Sequence, residues 1–166
     1  NGLNRSKGDG ILASVKSKTA AAVFWIFSAA LMAAIFFLSA QNAQESVEVS
    51  SGLLVKLLAW LPFTISENFL RDSAHAAEYF VLAALLFFSF RYTFGRNKPL
   101  SAFLCAAVYS ITDELHQHFV PGRACQLYDL MIDALGAAAA LLCFTAFFYA
   151  RERRRLRCGI KRKAPR

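Results

Sequence analysis

The sequence has no G-x-S-x-G nucleophile turn, no glycine-rich phosphate loop, no dinucleotide fingerprint and no H-E-x-x-H pair. Hydrolytic, nucleotide-dependent or zincin-type chemistry would have to rest on a looser constellation. The four cysteines form no framework: Cys105 and Cys143 fall within apolar runs, Cys158 in a basic tail, and only Cys125 in a loop. That pattern excludes both a disulfide scaffold and zinc-ligand spacing. No inverted repeat or pair of broken helices of the transporter kind is visible. Negative charge is scarce, with 11 acidic against 19 basic residues and a net charge of +8. The excess sits in the two termini and one short connection, a topology signal that argues against nucleic acid as a partner.

Apolar sequence is what the chain has in quantity: 57% hydrophobic residues, with 16 Phe among 166. One soluble core of this size cannot bury four long apolar runs and still present a polar exterior, so the bilayer is the expected solvent. The fold class predicted is an all-α membrane protein with four transmembrane helices, near residues 20–40, 73–92, 100–119 and 127–149. A secretory signal peptide is the rival reading of the first run, but the run exceeds the usual length of about 15 apolar residues. Between the first two runs, "ESVEVSSGLLVKLLAWLPF" sets Val47, Leu53, Leu54, Leu57, Leu58 and Leu61 at mostly helical spacing. It is too short and mixed to span, and reads as an interfacial amphipathic helix in the first extracytoplasmic loop. The domain plan is a basic N-terminus (1–19), the membrane domain (20–149) and a basic tail (150–166), whose charge suits topology and anionic headgroups.

Basic residues alternate between the flanks. Arg5, Lys7, Lys16 and Lys18 precede the first run; Arg91, Arg96 and Lys98 lie in the second connection; nine Lys or Arg follow Tyr149. The connection from Gln41 to Asp72 has only Lys56 and Arg71, and the last connection only Arg123. The positive-inside rule then expects both termini in the cytoplasm of a plasma-membrane protein. Under that orientation every strongly polar position in the runs falls at the outer end. Gln41 closes the first run; His75, Glu78 and Tyr79 open the second; Asp113, Glu114, His116, Gln117 and His118 close the third; Asp129 and Asp133 open the fourth.

Residues three or four apart share a helix face. His75, Glu78 and Tyr79 make one such set, Tyr109, Asp113, His116 and Gln117 another, Asp129 and Asp133 a third. Glu114 and His118 lie about 100° round, so some members of "DELHQH" must line a rim or pair with another helix. Three readings fit. In the first, Arg71, Arg123 and the histidines neutralise the acids in a purely structural network. In the second, the acids hold a divalent cation, as carboxylates and histidines on several helices do in bundles. Or they form an outer site in which a carboxylate or His75 is a base, Arg123 an anion clamp, and Tyr79 or Tyr109 a hydrogen donor, with membrane lipids or lipid-linked cell-wall precursors as ligands. The spacing of Gly136 and Ala140 suits close helix packing, within the bundle or in a homo-oligomer.

At these residues the chain resembles the VanZ-like membrane proteins, a family named after a protein associated with resistance to the lipoglycopeptide teicoplanin. The resemblance rests on Ser39-Ala40-Gln41 ending the first run, on His75 and Tyr79, and on Tyr109, Asp113, Glu114, Gln117, Pro121, Gly122, Arg123 and Asp129 in order. It departs where Arg71 and Asp72 stand near a position often held by Lys, and at Asp133, where Asn is common. The resemblance implies a role in the bacterial cell envelope, with lowered susceptibility to teicoplanin as the expected phenotype of members close to the founder. It carries no settled enzymatic activity. The candidate catalytic or binding residues are His75, Glu78, Asp113, Glu114 and Arg123. Gln41, Tyr79, Tyr109, Gln117 and Asp129 are the candidate substrate contacts.

Overall fold

A computed structural model of the chain describes the backbone of residues 2–40, 66–121 and 126–163. The described residues are helical, without strands: α1 (Gly2–Ser39), α2 (Glu67–Phe94), α3 (Pro99–Gln117) and α4 (Leu127–Lys163). The expected amphipathic segment, Gln41, Gly122, Arg123 and Cys125 lie outside the described residues. Both outer helices overrun their expected bounds. α1 reaches back through the basic N-terminus, and α4 runs on past Tyr149 through "RERRRLR" to Lys163.

Local chemistry sets the inner boundaries. Ser66, in extended conformation, accepts the Phe69 amide at 3.3 Å and so caps the start of α2. Gly95 ends α2 in the left-handed region at φ 67°, where a Cβ would be strained. Four residues on, Pro99 opens α3, where its missing N–H costs nothing.

Three described stretches are long and apolar enough to cross a membrane: Ser17–Ser39, Arg71–Phe94 and Leu127–Arg157. The third expected span differs in composition rather than length, since 19 residues of α3 rise about 28 Å. Its six Leu, Ile, Val and Phe residues at about −0.3 to −0.6 kcal/mol each give roughly −2 to −4 kcal/mol on insertion. Asp113 and Glu114 alone cost roughly 5–7 kcal/mol at mid-membrane, less near an end. α3 therefore depends on packing: it lies against α4 and α2 and touches α1.

Many large apolar side chains face outward while the strongly polar ones of the helices are buried. Ile26, Phe37, Leu104, Ile111, Leu135 and Leu142 are exposed, whereas Ser28, Ser89, Ser110, Asp113, Glu114 and Asp133 are buried. This is the distribution expected when the surrounding solvent is hydrocarbon. Alanines let the helices approach: Ala83, Ala102, Ala106, Ala137 and Ala140 all lie in the core. The closest approach is at Gly136 of α4, where an added Cβ would sit 2.2 Å from the Ala76 carbonyl oxygen of α2. The small-residue face around Gly136 and Ala140 is thus buried within the bundle.

The two ends of the bundle differ. At the basic end Phe24 stacks on Phe88 and Tyr92, and Phe87 on Phe144 and Phe148, with centroids 5.2–6.0 Å apart. Trp25 donates to Thr93 Oγ1 at 3.1 Å there, and Ser17 to the Tyr92 carbonyl at 3.1 Å, tying α1 to α2. The opposite end, formed by the C-termini of α1 and α3 and the N-termini of α2 and α4, carries the buried acids.

Candidate functional site

α3 supplies the centre of the polar end through two adjacent edges. The edge facing α1 carries Tyr109, Asp113 and Gln117 at intervals of four residues. The Asp113 Oδ2 atom accepts from Ser39 at 2.9 Å and from Gln117 Nε2 at 3.0 Å, and Gln117 also reaches Ser39 Oγ at 3.3 Å. All three side chains are buried. One turn below, the half-buried Tyr109 hydroxyl donates to the Met32 carbonyl of α1 at 2.5 Å.

The second edge faces α4 and carries Ser110 and Glu114. Ser110 Oγ donates to Asp133 Oδ2 at 2.7 Å, and Glu114 Oε2 accepts the Gln126 amide at 3.0 Å just before α4 begins. Asp133 is 1% exposed, and its other oxygen lies 3.3 Å from His75 Nδ1 of α2. His75 therefore pairs with Asp133 rather than with Asp113 or Glu114, the acids expected to act with it as base or ligand. Those two still lie close enough to His75 and Asp133 to interact with them electrostatically. Glu78, half-buried on the same helix, also acts on the charge of His75.

The rim is a pair of cross-helix links between the starts of α2 and α4. Arg71 Nη2 lies 3.4 Å from Asp129 Oδ1, and Tyr128 donates to Asp72 Oδ2 at 3.1 Å. Asp129 is buried while the Arg71 side chain is 49% exposed, so the cation comes in from the surface to meet the acid. The two positions where the chain departs from the family pattern before His75 thus hold α4 in place.

Five polar atoms of the cluster are buried without a hydrogen bond among the described residues; two of them, His75 Nδ1 and Asp133 Oδ1, face each other at 3.3 Å, which leaves Tyr79 OH, Asp113 Oδ1 and Glu114 Oε1. Such groups are rare in folded proteins, and each represents spare capacity to bond a partner. A cleft of about 170 Å³ leads to part of this set between α3 and α4. Its walls include Phe103, Ile111, Leu130 and Ala137; Tyr79, Ser110 and Asp133 are its polar groups.

The expected residues separate as follows. His75, Tyr79, Asp113, Glu114, Gln117 and Asp129 converge in the buried cluster. Tyr109 and Glu78 lie at its margin. Gln41 and Arg123 lie outside the described residues. Of the remaining polar positions in "DELHQH", His116 turns to α1 and stacks on Phe36 at 4.1 Å, and His118, one residue past the helix end, is exposed against Phe119. Both leave the cluster: His118 lies on the neighbouring face as expected, whereas His116, whose spacing set it with Asp113 and Gln117, turns away and Glu114 takes part instead.

Sequence reasoning missed Ser110 altogether and left Asp133 and Ser39 outside the site. The usable signal was helical: Ser110 lies four residues before Glu114, on its face. Among the described residues no three His, Cys, Asp or Glu side chains converge as a metal-binding group.

Long apolar helices enclosing a buried, carboxyl-rich end define a helical membrane protein. The sequence profile of the VanZ/LLP1 family matches residues 24–149, more than half of the chain, and the chain belongs to that family. The match contains every described residue of the polar cluster. No curated protein and no solved structure matches the chain significantly.

Proposed function

We propose that this VanZ-family protein crosses the bacterial plasma membrane four times with both termini in the cytoplasm, and that its outward polar end binds a lipid-linked molecule of the cell envelope. The observation that carries this reading is the cleft between α3 and α4, which joins apolar walls to the Tyr79, Ser110 and Asp133 groups. A lipid chain suits such walls. The head group meets Asp113 Oδ1 and Glu114 Oε1, acceptor atoms that match the hydroxyl and amide donors of a lipid-linked sugar or peptide. Arg123 is assigned the anionic part of the ligand, and Gln41 a further contact. Lowered susceptibility to teicoplanin follows where the bound molecule belongs to the pathway that the drug attacks.

α3 is the fourth crossing in this reading, inserted through its packing on α2 and α4 rather than by its own hydropathy. The outward direction rests on the charge bias of the flanks, which puts the basic end inside. A membrane-impermeant thiol reagent should then label Cys125 in intact cells and leave Cys158 unlabelled. The opposite pattern turns the cluster to the cytoplasm and removes the envelope ligand.

A structural reading is favoured by one observation: Ser39, Asp113 and Gln117 bond one another across α1 and α3 and need no ligand to explain them. Asp113→Asn, Glu114→Gln and Arg123→Gln separate the two. Membrane abundance and teicoplanin susceptibility are measured together in a host expressing each variant. Loss of protection at unchanged abundance supports the site; abundance and protection falling in step for all three supports the structural reading.

A further inference from the structure

At the end of the bundle remote from the acids, α2, α4 and the connection before α3 enclose an open cup of about 530 Å³. Three guanidinium groups line it, Arg91 from α2 and Arg151 and Arg155 from α4, against the single carboxylate of Glu152. Arg91 is held in place from two sides: its guanidinium lies over the Phe148 ring at 3.9 Å, and it donates to the side-chain oxygen of Asn97. Arg151 and Arg155 are one helical turn apart on α4, so both face the same space.

The floor adds an independent feature. Thr145 lines the cup, and its hydroxyl is buried without a hydrogen bond among the described residues. A helical threonine commonly bonds the carbonyl one turn back, as Thr93 does here to Ser89 at 2.7 Å. Thr145 does not, which leaves a donor beside three cations. Trp25, Tyr92 and Tyr149 are partly exposed around this end of the bundle, the aromatic composition typical of a membrane–water boundary.

We infer that this cup binds the phosphate of an anionic phospholipid headgroup in the leaflet adjoining the basic end, with Arg91, Arg151 and Arg155 as charge partners and Thr145 as a hydrogen donor. Planar guanidinium forks match phosphate oxygens in number and geometry. Arg91, fixed by Phe148 and Asn97, needs little reordering to engage one. The acyl chains stay in the bilayer beside the apolar outer face of α4. Neither the orientation of the protein nor the proposed ligand of the polar end enters this inference.

The test is native mass spectrometry of the full chain in detergent, titrated with phosphatidylglycerol or phosphatidylcholine. Wild type should retain phosphatidylglycerol preferentially. Arg151→Gln with Arg155→Gln should weaken that binding by roughly fivefold per guanidinium removed. Arg154→Gln with Arg157→Gln removes the same charge from exposed positions that do not line the cup, and should change binding far less. Because all four arginines are exposed, both double variants should keep the wild-type unfolding temperature in lipid-free detergent. Displacement of the lipid by millimolar inorganic phosphate would assign the cup to the phosphate group by itself; retention would assign it to the phosphodiester with its chains anchored in lipid. Equal weakening in the two double variants, or no preference for phosphatidylglycerol, overturns the inference.

Discussion

The two halves of the bundle solve the same packing problem in opposite ways. The basic half fills its interior with phenylalanines, Phe87 stacked on Phe144 and Phe148 and Phe88 edge-on to both, and leaves few polar atoms to satisfy. The polar half fills the corresponding space with Ser39, His75, Tyr79, Ser110, Asp113, Glu114, Gln117 and Asp133, and among the described residues Tyr79 OH, Asp113 Oδ1 and Glu114 Oε1 have no partner. Apolar replacement of buried ionic groups is often neutral or stabilising, so stability alone gives no reason for the second solution. That contrast is why the ligand is assigned to the polar half and the load of holding the helices to the aromatic half and the Gly136 crossing.

The contrast can be broken most severely where the halves meet. Gly136→Val should abolish the folded bundle, because even the first added carbon falls 2.2 Å from a backbone oxygen and no side chain can move to relieve it. Fluorescence-detected size-exclusion chromatography of a tagged chain should show the monodisperse peak lost. Phe87→Ala comes next. In soluble cores such a change costs about 3–5 kcal/mol; here the lost transfer term is small because lipid is as apolar as the core, so the destabilisation should fall below that range. A thermal unfolding series in detergent measures it, and protection against teicoplanin should fall only as far as abundance does.

Effects in the polar half should take a different form. Ser110→Ala removes the bond to Asp133 Oδ2 and, for a hydrogen bond to a charged group, should cost about 1.5–3 kcal/mol. It should also reduce protection more than abundance, since it alters the floor of the cleft. Arg71→Gln is the mildest change. The pair with Asp129 is half-exposed on the arginine side, and such pairs contribute about 0.2–1 kcal/mol. Its unfolding temperature should drop slightly, and less so at high salt, because the exposed charge is already screened.

Much of the polar half was legible because helical periodicity carries it. Spacings of three and four residues placed Asp113 with Gln117 and His75 with Tyr79 on shared faces, and the structure brings these four inside. Which acid meets which base was not legible. His75 meets Asp133 rather than Asp113 because Gly136 lets α2 and α4 close together one turn away, and that approach depends on backbone fit rather than on pattern. Ser110 was invisible for another reason: serines also bond their own helix, as Ser28 and Ser89 do to carbonyls four residues back, so the residue type alone marks no site. The expected end of the last helix at Tyr149 followed the end of apolar sequence. The helix itself continues because arginine, glutamate and leucine are good helix formers and no proline intervenes before Lys163.

The central claim is that the polar half binds a ligand while the aromatic half holds the fold. Its most direct test is the pair Asp133→Asn and Phe87→Ala, each assayed for membrane abundance and for protection against teicoplanin in the same host. Asp133→Asn keeps the size of the side chain, can still accept from Ser110 and can turn its amide to donate to His75 Nδ1, so it should reach wild-type abundance and lose protection; Phe87→Ala should lose both in proportion. If Asp133→Asn protects as well as wild type at equal abundance, or loses abundance and protection in the same proportion as Phe87→Ala, the assignment of the ligand to the polar half is contradicted.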